Sequence, residues 1–200
     1  CLKFFFIQLY PESLTHQKTA EAPIFTFFLT GDALYSLTDP ELLPVWNIIL
    51  SFPPVRILCD QEELALRGIP TGSLKMKFPD QVIDSNSSGP DGRPSFWKDL
   101  AAATRESKSP LPGTAGWFQT ESPYMHRSAL YGLRFLSAAV DEHLSVELLA
   151  YLDGIHCGHH CQNPAEDENI GAGITALQEK ALAARVTFHA LGSSQSATAR

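Results

Sequence analysis

The chain lacks any apolar run of transmembrane length; its longest hydrophobic stretches are strand-sized and broken by Pro, Asp or Gly. It also lacks a basic block. With 15 Lys and Arg against 22 Asp and Glu, the net charge of −7 excludes the counterion-displacing surface that nucleic-acid binding needs. The same charge argues against an anionic membrane as a docking surface. No charged-then-apolar leader is present, and the sequence starts at Cys1 without Met, so a fragment or processed form is expected, with further residues beyond Arg200. Cysteine is sparse: four residues, unevenly spaced, in a chain long enough to bury a core without disulfide staples. Reduced thiols and a cytoplasmic location are therefore expected. Asn169-Ile170-Gly171-Ala172-Gly173 lacks the Lys and the glycine spacing of a phosphate loop, and no serine sits in a nucleophile-elbow context. Haem attachment is unsupported, because Cys-x-x-Cys-His is absent.

What is present is an ordinary globular composition, 44% hydrophobic and 18% charged, in alternating strand-like and helix-like patterns. Leu2–Tyr10 and Ile24–Thr30 read as buried strands, the second ending at Gly31-Asp32. Asp39-Pro40-Glu41 supplies a helix start for Leu42–Phe52. Val55–Leu58 is a third strand delivering Cys59-Asp60, and Gln61–Arg67 is a helix closed by Gly68. The stretch from Pro70 to Gly113, rich in Pro, Gly, Ser and Asp, reads as a linker or surface excursion with an amphipathic helix at Ser95–Arg105. Order resumes with a strand at Trp117–Thr120, a long helix at Tyr124–His143 and a strand at Val146–Leu152. A helix at Asn169–Arg185, a strand at Val186–Leu191 and a final polar turn follow.

The densest chemistry lies directly after Val146–Leu152. His156, Cys157, His159, His160 and Cys161 fall within six residues behind the turn Asp153-Gly154. In open α/β sheets the carboxyl ends of strands are where ligands gather. Two chemistries fit. In one, a thiol accepts sulfane sulfur, a second resolves it, and His156, His159 or His160 manages protons. In the other, Cys157, His159, His160 and Cys161 bind zinc or another soft metal, although Cys-x-x-x-Cys with adjacent histidines is not a standard finger spacing. Sulfur handling carries slightly more weight. Cys59 is a second candidate thiol, standing before a helix start that lowers a thiol pKa while Asp60, Glu62 and Glu63 oppose it. Burial as a small apolar residue explains Cys59 equally well.

The two halves repeat a plan of strand, helix, strand ending in Gly-Asp or Asp-Gly, helix, strand, turn and helix ending in Arg. Asp32 and Asp153 occupy matching positions. The expected organisation is a first unit over 1–75, a linker over 76–112, and a second unit over 113–200 that carries the Cys/His loop.

Cys59 followed eight residues later by Arg67-Gly68, together with the Gly31-Asp32 loop, resembles the DsrE/DsrF family that includes the TusBCD-type sulfur-relay proteins. The likeness covers each half separately, roughly 1–70 and 113–200. It implies an α/β fold of two DsrE-like three-layer units with parallel sheets, arranged as a pseudo-dimer, and assembly into homo- or hetero-oligomers. It also implies a cysteine that carries sulfur as a persulfide between donor and acceptor proteins. That cysteine maps onto Cys59; the second half has Gly192 or Ser193 there and its thiols at Cys157 and Cys161 instead. The competing expectation is a metal-binding or purely architectural subunit of a larger complex.

Overall fold

A computed structural model describes residues 25–51, 55–85, 95–106, 114–159 and 169–180. The chain divides into two compact units, Cys1–Phe96 and Trp97–Arg200. Both are mixed α/β with short parallel sheets.

In the first unit, β1 (Phe25–Leu29) pairs in parallel with β2 (Val55–Cys59) from Phe25↔Val55 to Leu29↔Cys59. β2 pairs in parallel with β3 (Val82–Ile83), so β2 is the central strand of three. Its consecutive residues Ile57, Leu58 and Cys59 are all buried, as expected of a parallel strand covered on both faces. A seven-residue 3-10 helix, Gly31–Leu37, and α1 (Leu43–Leu50) carry the chain from β1 to β2. Asp39 caps less than the sequence suggests: its Oδ1 accepts the Glu41 N–H, and α1 begins at Leu43 with Pro44 in its first turn. Trp46 of α1 packs edge-on against Phe27, 5.6 Å between centroids, and donates its indole N–H to the buried Ser36 hydroxyl at 3.1 Å.

After β2, Asp60 starts α2 (Gln61–Leu66) and Gly68, at φ 65°, ends it. Only glycine takes that conformation without steric cost. α3 (Thr71–Lys77) and β3 then complete the unit. The first unit's sheet therefore continues past residue 75: Val82 and Ile83, within the stretch expected as a linker, pair with β2, and the Gln81 carbonyl ahead of them accepts the Ile57 N–H at 2.7 Å. The core of this unit gathers Leu34 and Leu37 from the 3-10 helix, Ile57 and Cys59 from β2, Leu64 from α2 and Leu74 from α3.

The second unit opens within α4 (Phe96–Glu106), whose Trp97 stacks on Tyr131. β4 (Thr114–Gln119) pairs in parallel with β5 (Ser145–Ala150) from Thr114↔Ser145 to Gln119↔Ala150, with α5 (Ser128–Asp141) as the crossover. α5 begins four residues later than the sequence reading because residues 123–127 form turns ahead of it. Its Gly132 lets the Trp117 indole lie flush on the helix, since a Cβ there would meet the ring at 2.5 Å. After β5 comes a second seven-residue 3-10 helix, Leu152–Gly158, where an irregular loop is expected from the sequence, and later α6 (Ile170–Lys180). Leu136, Ala139, Val146, Ile170 and Leu177 lie at the centre of this second core. The expected strands Leu2–Tyr10 and Val186–Leu191 lie outside the described residues.

The two strand-to-3-10 junctions share a backbone path. Thr30 enters the first at φ −140°, ψ 167°, and Tyr151 enters the second at φ −137°, ψ 151°. Each 3-10 helix then opens on a left-handed residue, Gly31 at φ 58° and Leu152 at φ 51°. An exposed Asp follows in both, Asp32 and Asp153, and both bury the sixth residue, Ser36 and Cys157.

Candidate functional site

The rim of the first sheet is assembled from three separated stretches. Backbone pairing sets the frame: the Asp60 N–H donates to the Leu29 carbonyl at 3.0 Å, fixing the end of β2 against the end of β1. The Asp60 side chain then serves both sides. Its Oδ1 accepts the Glu62 and Glu63 N–H groups at 3.2 and 3.4 Å, capping α2, while its Oδ2 accepts the Thr30 hydroxyl at 3.0 Å. Arg67, at the C-terminal end of α2, pairs through Nη1 with the fully buried Glu63 and through Nη2 with Asp32 at 2.9 Å. Its guanidinium also lies 5.8 Å from the centre of the Tyr35 ring. Cys59, Asp32, Asp60 and Arg67 are thus brought to one corner, across sequence separations of up to 35 residues.

The thiol in this corner is closed off. Cys59 is 1% exposed, and burial, with the Asp60 carboxylate adding to it, pushes its pKa up to about 12. The helix start does not supply the expected acidifying effect, because the Asp60 carboxylate already occupies the first N–H groups of a six-residue helix. Asp60 is itself raised, chiefly by burial; the Thr30 hydroxyl and the Glu63 N–H oppose this, and the Glu63 and Glu62 charges reinforce it.

At the rim of the second sheet, Gln119 organises the geometry. It is buried, accepts the Trp117 indole N–H at 3.0 Å and donates to the Glu121 carbonyl at 2.7 Å and the Ser128 hydroxyl at 2.9 Å. One amide therefore ties the end of β4 to the following turn and to the start of α5. The Gln119 backbone carbonyl accepts the Tyr151 N–H at 2.8 Å, and Gly154 packs against it so closely that a Cβ would lie 2.1 Å from the oxygen. That contact seats the 3-10 helix bearing Asp153, His156 and Cys157.

Cys157 points into the second core, 2% exposed, and burial raises its pKa to about 11 against an opposing backbone hydrogen bond. Neither Cys59 nor Cys157 is in a disulfide. Asp153, His156 and His159 are exposed. A thiol facing the core and imidazoles facing water do not converge on one point, and no group of three or more potential metal-ligating side chains occurs among the described residues. His160 and Cys161, the rest of the expected cluster, lie outside the described residues. Sequence reasoning missed Gln119, for which a single amide near a strand end is no signal. Asp32 and Asp153, matched in the sequence, are each the exposed second residue of a seven-residue 3-10 helix.

Among the described residues, no helix is long and apolar enough to cross a membrane. No protein-family model matches the chain, and no curated protein and no solved structure matches it either.

Proposed function

We propose that this chain is a sulfur-relay subunit that receives or passes sulfane sulfur on Cys59, within a complex of donor and acceptor proteins, on a duplicated α/β scaffold. The observation that carries the reading is the convergence at the first rim. The strand-end Cys59, the loop bearing Asp32 and the helix ending in Arg67 are the three features of the family resemblance, and hydrogen bonds and an ion pair join them in one corner. The matching 3-10 junctions after β1 and β5 support duplication of one plan in the two units.

The chemistry is a sulfane transfer. The Cys59 thiolate attacks the outer sulfur of a donor persulfide, the donor S–S bond breaks, and the donor departs as its own thiolate, leaving a persulfide on Cys59. The thiolate is the nucleophile. A thiol with a pKa of about 12 is protonated at neutral pH, so transfer requires this corner to open and rehydrate.

A second reading has its own observation. Cys59 and Cys157 are both sealed in apolar surroundings, which favours an architectural subunit that keeps the scaffold without transfer. Metal binding through Cys157 and Cys161 with His159 and His160 would require Cys157 to turn outward. Persulfide mapping by mass spectrometry separates these readings. After loading with a small-molecule persulfide donor, the relay reading predicts one added sulfur on the Cys59 peptide, absent in Cys59→Ser and retained in Cys157→Ser and Cys161→Ser. Sulfur on no cysteine, with no bound metal by elemental analysis, supports the architectural reading; near-stoichiometric zinc supports the metal reading.

A further inference from the structure

The Cys59 corner is closed by contacts of unequal kind. Leu34 and Leu37 of the Gly31–Leu37 3-10 helix are fully buried in the same cluster as Cys59 and Leu64. The Thr30–Asp60 hydrogen bond is likewise withdrawn from water, with Asp60 only 3% exposed. One link differs. The Asp32 side chain is 91% exposed, yet its carboxylate holds Arg67, 15% exposed, whose other arm engages the wholly buried Glu63. A single guanidinium therefore spans from the interior of α2 to the water-facing edge of the 3-10 helix, and the Tyr35 ring on that helix lies beside it. Arginine suits such a span because its planar fork serves two carboxylates at once, which a lysine ammonium on a flexible stem does less well.

We propose that the Asp32–Arg67 pair is a gate for Cys59: it pins the Gly31–Leu37 3-10 helix to α2, the helix that follows the strand-end thiol, and its release opens the corner without unfolding the unit. The inference rests on the reading of Cys59 as the transfer thiol. The gate governs access and so sets when transfer can occur. Arg67 acts here as a positioning residue, touching neither the thiol nor a substrate.

The test is native-state labelling of the full chain with a small neutral thiol reagent, with rates at Cys59 and Cys157 resolved by mass spectrometry. Asp32→Asn is expected to label Cys59 about two- to fivefold faster, the range an exposed ion pair supports. Arg67→Lys, which keeps a cation beside Glu63 but loses the fork, should give a similar gain, and the double variant should label no faster than either single one. High salt should speed Cys59 labelling in the wild type and leave Asp32→Asn unchanged. Cys157, in the other unit, should keep its rate throughout, and Lys75→Gln, which breaks the separate Lys75–Asp84 pair, should leave Cys59 unchanged. The proposal is overturned if Asp32→Asn leaves the Cys59 rate unchanged. It is also overturned if the two singles add fully in the double variant, or if the gain equals the loss of global stability measured by denaturant. These rates do not depend on sulfur chemistry, so a failed gate and a failed relay reading are told apart by labelling and persulfide mapping respectively.

Discussion

Gly154→Ala probes the second rim most sharply. A Cβ at this position would stand 2.1 Å from the Gln119 carbonyl oxygen and 2.7 Å from its carbon, both backbone atoms. Relief requires a shift of about 1 Å, and that carbonyl cannot move alone, because it accepts the Tyr151 N–H and its residue carries the amide that holds Glu121 and Ser128. Overpacking costs about 1–3 kcal/mol, and a strained or lost buried hydrogen bond adds about 1 kcal/mol, for a combined effect of about 3 kcal/mol. For a unit of this size that lowers the unfolding midpoint by roughly 12–24 °C. Gly116→Ala is the matched control: it lies in β4 of the same unit, and nothing stands within 4 Å of its added Cβ. Thermal unfolding of both variants followed by near-UV circular dichroism, which reports the Trp117 environment, reads the difference. If Gly154→Ala melts with Gly116→Ala and the wild type, the seating of the 3-10 helix on the end of β4 is wrong.

Leu152→Gly should stabilise the second unit by about 1 kcal/mol, because Leu152 holds φ 51°, a conformation that costs a side-chain-bearing residue about 1–2 kcal/mol, while its exposed side chain gives up little; an unchanged or lowered denaturant midpoint would contradict this. Stability of the first unit should fall above pH 9. The Cys59 thiol stays protonated in the folded chain up to about pH 12 while the unfolded chain releases its proton near 9.0. The contribution is thus complete below pH 9 and declines by about 1.4 kcal/mol per pH unit up to 12, a slope that the Cys59→Ala variant should lack in denaturant titrations. Cys59→Ser, which buries a hydroxyl where a thiol packed, should cost the first unit about 1–3 kcal/mol by chemical unfolding; a neutral result would mean that water already reaches this corner.

What the sequence disclosed depended on how local the signal was. β1, β2 and β5 announce themselves as apolar runs, and α2 is bracketed by a capping Asp60 and a terminating Gly68, so these elements lie close to their expected positions, whereas β4, mixed in character, starts three residues ahead of the expected Trp117. α3 and β3 were hidden because the helix is short, the strand is two residues long and both sit in a Pro- and Asp-rich stretch; pairing with β2, not propensity, makes β3 a strand. The thiols are visible in the sequence, and burial is one of the two readings it leaves open for Cys59; nothing local signals the burial of Cys157. A cysteine at a strand end reads the same whether tertiary packing buries it or leaves it open, and the contacts around this corner, Arg67 with Asp32 among them, join residues up to 35 apart in sequence. For the same reason the loop after β5 read as a cluster of ligands, while its 3-10 turn directs Cys157 inward and leaves His156 and His159 exposed.

The central claim, that Cys59 is a transfer thiol kept shut in the resting chain, is tested most directly by competing a persulfide donor against the folded protein and against the same protein in denaturant. The account predicts sulfur on Cys59 in the folded chain, accumulating slowly in the wild type and several-fold faster in Asp32→Asn. Loading of Cys59 only after denaturation, at the same negligible folded-state level in both proteins, would contradict it.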